Sequence, residues 1–323
     1  MNLETLFTGF NSKKVLIIGD SMIDAYMWGE INRMSPEAVV PVVEVKKHEN
    51  RLGGAANVAL NLQSLGATPI LCSVIGNDEK GVLFQKLMND AGLSNKGILK
   101  ANRKTTLKTR IIAKNKHQLR IDEEETHAIK EESEFLQLIK GLISDANVVI
   151  LQDYNKGVLS PKIISEIINL ANTKKLPTIV DPKKINFNCY KNCTIFKPNL
   201  YEIRDGMKID LNRDNKEEIE KASSELRKKL NTEAVLLTLS SRGICISTQE
   251  EFTHTTALKR RVIDVSGAGD TVIAVAALCL ASNLNYINLS KLSNIAGGLV
   301  CEEVGVVPID KEKLFTEAKN ILT

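Results

Sequence analysis

Val15-Leu16-Ile17-Ile18 is a continuous apolar run that stops at Gly19-Asp20, and runs of this kind recur along the chain between helix-length amphipathic stretches. A strand that is apolar on both faces has to be covered on both sides, which a mostly parallel sheet between two helical layers achieves. Pro69 to Val74, Val148 to Leu151, Thr178 to Val180, Thr194 to Phe196 and Val235 to Leu239 read as further strands. Ala55 to Leu65, Lys80 to Ala91, Pro161 to Thr173, Lys216 to Leu230, Thr271 to Ala281 and Ile287 to Val300 read as helices. The alternation predicts an α/β fold with a mostly parallel sheet flanked by helices.

Two stretches leave that rhythm. Ala38 to Val45 is rich in valine but contains Pro41, which suits an edge strand. Thr105 to Ile112 reads as extended, with Asn115-Lys116 turning it back into Gln118 to Ile121. Together they predict a small β lid, from about 24–48 and 105–122, on a single domain over 1–323. No Pro/Gly-rich linker or internal repeat divides the chain, and 323 residues with 43% hydrophobic content can bury one large core.

The 43 Lys and Arg exceed the 39 Asp and Glu by only 4, with the signs interspersed, so no nucleic-acid footprint is present. Met1 to Lys14 lacks an apolar leader and Val272 to Ala281 is too short to span a bilayer, so a cytoplasmic protein without membrane partners is expected. Cys72, Cys245, Cys279 and Cys301 lie in apolar stretches, and the Cys189/Cys193 spacing fits neither a zinc nor a thioredoxin motif. His48, His117, His127 and His254 show no ligand spacing and read as surface or lid residues.

In such a sheet, ligands collect beyond the carboxyl ends of the strands, which singles out Asp20, Asp24, Asp153, Asp181, Asn199 with Glu202, and Thr238. Gly267-Ala268-Gly269-Asp270 stands directly before an apolar helix. Its small residues permit close approach, and the free N–H groups and dipole of a helix start stabilise an anion. The segment lacks the Lys-Ser/Thr ending of a Walker A loop and the spacing of a dinucleotide fingerprint. Asp270 would repel a phosphate unless it had its own task, such as accepting the proton of an attacking hydroxyl. A plain N-cap or first-turn acid is the competing reading. A second cluster, Gly53-Gly54-Ala55-Ala56-Asn57, opens the helix that runs to Gly66. Its glycines either serve packing or a turn, or let a hydroxyl-rich ligand lie on the backbone beside the Asn57 amide.

In this order, the two clusters resemble the signatures of the ribokinase-like (PfkB) family of carbohydrate kinases. Ala59 and Gly66 extend the first, and Asp264 to Asp270 with Thr271 form the second. Gly19-Asp20, Asp24, Lys197-Pro198-Asn199 with Glu202, Thr238 with Gly243, and Asn294 to Gly298 are similar as well, from Val15 to about Pro308. The resemblance implies a Rossmann-like core with a β lid, ATP as phosphoryl donor, and Mg2+ bridging its phosphates. It implies Asp270 as base and Gly267, Ala268 and Gly269 as anion hole. Asn199 and Glu202 match the element that organises Mg2+, with Glu202 acting through water. Thr238, Gly243 and Asn294 fall on the nucleotide side, although Ser240 stands where many relatives have glycine. Asp24, Gly53, Gly54 and Asn57 fall on the sugar side. A monovalent cation such as K+ is hinted at near Asp264 and Ser266.

Within the family, Arg33 to Val43 is similar to the lid of the D-glycero-β-D-manno-heptose 7-phosphate kinases, as are the segments Asp153 to Gly157 and Asp181-Pro182-Lys183. The implied reaction is ATP-dependent phosphorylation of the anomeric hydroxyl to heptose 1,7-bisphosphate, in ADP-heptose and lipopolysaccharide core synthesis. Bifunctional members carry an adenylyltransferase domain after the kinase. Here only Lys311 to Leu322 reads as a further helix, so that activity is expected on another protein. A phosphorylated sugar needs a cationic pocket, for which Arg33, Arg110, Lys156 and Lys183 are candidates; two or more should converge, and each is otherwise a solvated surface charge. The alternatives are a kinase of another sugar or sugar phosphate, and a catalytically silent sugar- or nucleotide-binding regulator. The joint presence of Asp270, Gly267, Gly269, Asn199 and Glu202 opposes the latter. A homodimer is expected, since a lid edge strand invites pairing.

Overall fold

The computed structural model describes residues 2–114 and 116–322. Its strands are β1 (Lys14–Gly19), β2 (Ser21–Met34), β3 (Pro41–Gly54), β4 (Thr68–Gly76), β5 (Ile98–Ala101), β6 (Leu107–Ala113), β7 (Lys116–Glu123), β8 (Val148–Gln152), β9 (Thr178–Asp181), β10 (Ile195–Phe196), β11 (Ala234–Thr238), β12 (Ile244–Ser247) and β13 (Phe252–Thr255). Nine of them form one sheet in the order β13-β12-β11-β10-β9-β8-β1-β4-β5. β5, β4, β1 and β8 to β11 run parallel, and β12 and β13 close one edge antiparallel.

β1 shows why two helical layers form. Val15 and Ile17 are buried with Val58, Ala59, Leu62 and Ile273 of the helices Ala55–Ser64 and Ala268–Ala281. Leu16 and Ile18, pointing the other way, are buried with Phe135, Ile163 and Ile167 of Glu132–Leu142 and Pro161–Thr173. Each such side chain contributes roughly 1.5–3 kcal/mol by leaving water, and neither face could be left bare.

The six anticipated helices and the parallel strands occur with ends shifted by a few residues. The helices Leu3–Phe10, Glu132–Leu142 and Leu200–Met207 and the short strands β5, β12 and β13 were not anticipated. Four residues are too few to establish a period. At the far end of the chain, Lys311–Leu322 packs on Leu3–Phe10, with Phe7 and Phe315 edge to face at 5.2 Å.

The lid is a separate sheet in the order β3-β2-β6-β7. It is larger than 24–48 and 105–122, because β2 starts at Ser21 and β3 continues to Gly54. The strand expected from Ala38 begins instead at Pro41; residues 36–39 form a bend in which Val39 is 95% exposed. β3 pairs only with β2, so it is the edge strand that Pro41 requires. Of the expected turn, Asn115 lies outside the described residues, while Lys116 begins β7. The lid rejoins the core at Gly54, whose φ of 60° lets Ala55 N–H bond the Asp20 carbonyl at 2.9 Å. A Cβ on Gly54 would stand 2.5 Å from that carbonyl oxygen, so only glycine fits.

Candidate active site

Gly267, at φ 80°, caps the helix Ala268–Ala281 and puts Asp270 in its first turn, 5% exposed. The carboxylate does not cap its own helix. Oδ2 accepts Asn57 Nδ2 at 2.7 Å, while Oδ1 accepts the Tyr154 hydroxyl at 2.6 Å and Gln152 Nε2 at 3.2 Å. Asp270 is a first-turn acid that does more than sit in its turn: the helix Ala55–Ser64 and the end of β8 with its following loop, both distant in sequence, hold its side chain. Burial pushes Asp270 up to about 6, against the hydrogen bonds from Asn57 and Tyr154; Asp181 adds to the rise and Lys197 opposes it. A buried carboxylate poised near neutrality is the condition for a general base.

The N–H groups of Gly269 and Asp270 find no acceptor among the described residues, as expected of a helix start awaiting an anion. A Cβ on Gly269 would project to 3.8 Å from Asp181 Oδ2 and 4.0 Å from Lys197 Nζ, so the missing side chain leaves the space between helix start and ion pair open. Lys197, 3% exposed, reaches Asp181 Oδ2 at 3.1 Å, and Gln152 Nε2 reaches the same oxygen at 3.1 Å. Gln152, Tyr154 and Lys197 thus join Asp181 around the Asp270 carboxylate and its neighbouring ion pair. Of the four, only Asp181 was singled out from sequence, for its place at a strand's carboxyl end; Tyr154 and Lys197 entered only within family-like segments.

Asn199 caps the helix Leu200–Met207 through a capping box in which the Asn199 side chain accepts Glu202 N–H and Glu202 Oε2 accepts Asn199 N–H at 2.8 Å. Glu202 Oε1 pairs with Lys183. Burial raises the Glu202 carboxyl, helped by Asp181; for Lys183 burial works against the charge, but Asp181 and Glu202 outweigh it and hold the ammonium well above its usual range. Lys183 therefore sits with Asp181 and Glu202, apart from the lid cations. The oxygen donors here fit a hard cation such as Mg2+ held mainly by phosphate and water. Among the described residues no group of three or more His, Cys, Asp or Glu comes together as a protein cage.

Thr238 ends β11 and bridges to Asn199, its N–H bonding the Pro198 carbonyl at 3.0 Å. Ser240 adopts φ 54° and Gly243 φ 94°, so the loop takes a positive φ at both positions, a conformation that costs serine more than glycine. Asn294 spends its amide on the Thr256 carbonyl at 2.9 Å, tying the helix Tyr286–Val300 to the segment after β13. Asp264 accepts Ser266 N–H at 2.9 Å and Gly305 N–H at 3.0 Å, linking two loops beside the cradle.

On the lid side, Asp24 is 4% exposed and ion-paired with Arg110. A Cβ on Gly53 would run into the Asp24 carboxylate, which explains the glycine. Asn57 hydrogen-bonds the Asp270 carboxylate directly. The four candidate cations do not all converge. Lys156 pairs with Glu124 at 2.8 Å, Glu124 also takes Lys108 at 3.0 Å, and Lys108 lies two residues from Arg110 on β6, so Lys156 and Arg110 share one side of the site. Lys183 goes to Glu202, and Arg33 is exposed near the outer end of β2. Arg51, which hydrogen-bonds the Val306 carbonyl at 3.1 Å and lies 4.9 Å from the Tyr26 ring centroid, is a further lid cation.

Asp20 organises the loop between these halves. Its Oδ2 accepts the N–H groups of Tyr154 (2.8 Å) and Lys156 (3.0 Å), and its Oδ1 that of Val158 (3.0 Å). Burial raises Asp20 to about 6, with Asp153 adding to the rise and the three N–H groups opposing it. The four histidines are exposed and the six cysteines are free thiols. No described helix is long and apolar enough to cross a membrane.

A doubly wound sheet with a glycine-rich helix start, a buried carboxylate in its first turn and a four-stranded lid matches one class in particular. The chain belongs to the pfkB family of carbohydrate kinases, whose family model matches residues 12–313. Among curated proteins it is similar to the bifunctional protein HldE of Desulfatibacillum aliphaticivorans, 38% identical over 96% of this chain and 64% of that protein. HldE of Aliarcobacter butzleri is 39% identical over 94% of this chain and 64% of its own length. The chain thus spans just under two thirds of these relatives. Among solved structures, Escherichia coli phosphofructokinase-2 in complex with potassium superposes with a TM-score of 0.79 at 18% identity, covering 95% of this chain and 99% of the other. Arabidopsis thaliana ribokinase complexed with ribose and ATP gives 0.73 at 19% identity, covering 94% and 98%. Identities this low show the fold alone, and the fold is ribokinase-like.

Proposed function

We propose that this protein transfers the γ-phosphoryl group of ATP to the anomeric hydroxyl of D-glycero-β-D-manno-heptose 7-phosphate, giving heptose 1,7-bisphosphate for ADP-heptose and lipopolysaccharide core synthesis. The observation that carries the kinase reading is the 2.7 Å hydrogen bond from Asn57 to Asp270, which joins the two glycine clusters across 213 residues into one site. In this reading Asp270 takes the proton of the acceptor hydroxyl. The amides of Gly269 and Asp270 and the ammonium groups of Lys183 and Lys197 stabilise charge on the transferred group. Glu202 and Asn199 would hold the water shell of a Mg2+ ion bound with the nucleotide, which would supply neutralisation of the phosphate charge. Asp264 and Ser266 are the place for a monovalent cation such as K+.

The heptose 7-phosphate assignment draws on the likeness of Arg33 to Val43 to the heptose kinases and on the chain-wide similarity to HldE. Arg110 and Lys156 are the cations placed to meet the sugar phosphate. The test is to supply heptose 7-phosphate, ribose, fructose 6-phosphate and adenosine in parallel with ATP and Mg2+. Preference for any but the first overturns the substrate assignment and leaves the kinase reading standing.

The same proposal includes a cytoplasmic homodimer joined through the lid. Leu119 (56%) and Ile121 (45%) on β7 and Val45 (38%) on β3 expose apolar surface that a second lid could cover. Light scattering at micromolar concentration checks it, and a monomer refutes it.

A further inference from the structure

Three donors converge on Asp270, and Oδ1 carries two of them, the Tyr154 hydroxyl and Gln152 Nε2. A carboxylate offers about four lone-pair positions, and the three donors leave a single one, on Oδ2; for an acceptor hydroxyl to reach Oδ1, one of the two donors there has to leave. Asn57 is 1% exposed within the helix Ala55–Ser64, and Gln152 is fully buried at the end of β8. Both are locked by packing. Of the three, Tyr154 alone is partly exposed and stands on a loop. Its backbone is fixed, because Asp20 holds the N–H groups of Tyr154, Lys156 and Val158. The part that can move is the side chain, over whose ring Lys183 Nζ lies 5.5 Å from the centroid.

We infer that Tyr154 is a positioning residue whose phenol holds Oδ1 of Asp270 while no sugar is bound and cedes it to the acceptor hydroxyl, which ties proton abstraction to sugar binding. This rests on the reading of Asp270 as the base. With the phenol in place, both lone pairs of Oδ1 are taken, by Tyr154 and Gln152. Without it, a water oxygen would bond to the γ-phosphorus of ATP as the bond to ADP breaks, and its proton would pass to Asp270. The phenol thus guards against loss of ATP to water in the sugar-free enzyme.

Tyr154→Phe keeps the ring and removes the hydroxyl. ATP hydrolysis with Mg2+ and no sugar is compared with phosphorylation of heptose 7-phosphate, both at about pH 8, where Asp270 is ionised. The ratio of hydrolysis to sugar phosphorylation rises about tenfold, the factor released when one hydrogen bond to a charged acceptor is lost. A phenol with a merely structural role would lower both rates together and leave the ratio where it was. An unchanged ratio, within about twofold, overturns the inference. Asp270→Asn separates the two ideas. If it abolishes both reactions while Tyr154→Phe leaves the ratio unchanged, the assignment of Tyr154 falls alone. If Asp270→Asn still phosphorylates the sugar, the base reading falls and takes this inference with it.

Discussion

Lys197 Nζ lies 3.1 Å from Asp181 Oδ2, and both residues are buried, at 3% and 5% exposure. Asp181 also takes Lys183 at 3.8 Å and Gln152 at 3.1 Å, so one carboxylate at the end of β9 gathers two lysines and a neighbour of Asp270. The pair is a structural keystone beside the helix start at Gly269.

Lys197→Met removes the ammonium and leaves Asp181 buried with a more distant cation. Losing one partner of a buried pair costs about 3–5 kcal/mol, and the remaining Lys183 places the expected loss near the lower end. Urea unfolding reads it as a lower midpoint at unchanged slope. A loss below about 1 kcal/mol would mean that the pair behaves like a surface contact.

The raised Asp270 carboxyl fixes the direction of the pH dependence. A base acts only when ionised, so kcat/KM rises with pH through about 6 and levels off above it. Phosphate groups of the substrates titrate near 6 as well, so the limb alone is ambiguous. Asn57→Ala distinguishes them: it deletes a hydrogen bond that holds Asp270 down, and the acid limb moves to higher pH. A limb that stays in place assigns it to the substrates.

Arg110→Gln leaves the Asp24 carboxylate buried without its cation on the sugar side of the site. The KM for the sugar phosphate rises about tenfold or more, while the KM for ATP stays within about twofold. Equal changes in both constants would show that the lid pair acts on the fold and not on the sugar.

Gly269→Ala pulls stability and activity in opposite directions. Alanine improves helix propensity over glycine by about 1 kcal/mol, so thermal unfolding shifts upward or stays level. The new Cβ fills the cradle near Lys197 and Asp181, and kcat falls about a hundredfold. Retained turnover would exclude this helix start as the seat of the transferred phosphoryl group.

Long elements were legible because their patterns repeat. The run Val15 to Ile18 announces itself by being apolar throughout up to Gly19-Asp20, and the helix Pro161–Thr173 by its period. β12 and β13 have four residues each and were invisible for want of a period. β2 lay largely inside the expected lid but was not read as a strand, because Met22, Tyr26 and Trp28 blur the alternation of Ile23, Ala25, Met27 and Ile31 with polar residues. In the site, Asp270, Asn57, Glu202 and Asp24 stood out as polar residues at glycine-rich turns or just beyond strands. Tyr154 and Gln152 carried no such mark, because what makes them functional is the carboxylate they touch.

The amino-acid sequence by itself determined the α/β class, the two glycine clusters and the family, since these depend on local periodicity and on which residue types sit at turns. Only the tertiary structure decided what Asp270 touches and which cations serve which half of the site. Lys183 faces Glu202 and Lys156 faces Glu124 because β9 and the loop after β8 deliver them there. No spacing along the chain encodes such a choice. Charges pair with whatever the packed sheet and lid place within about 4 Å of them, and burial then sets how tightly each is held.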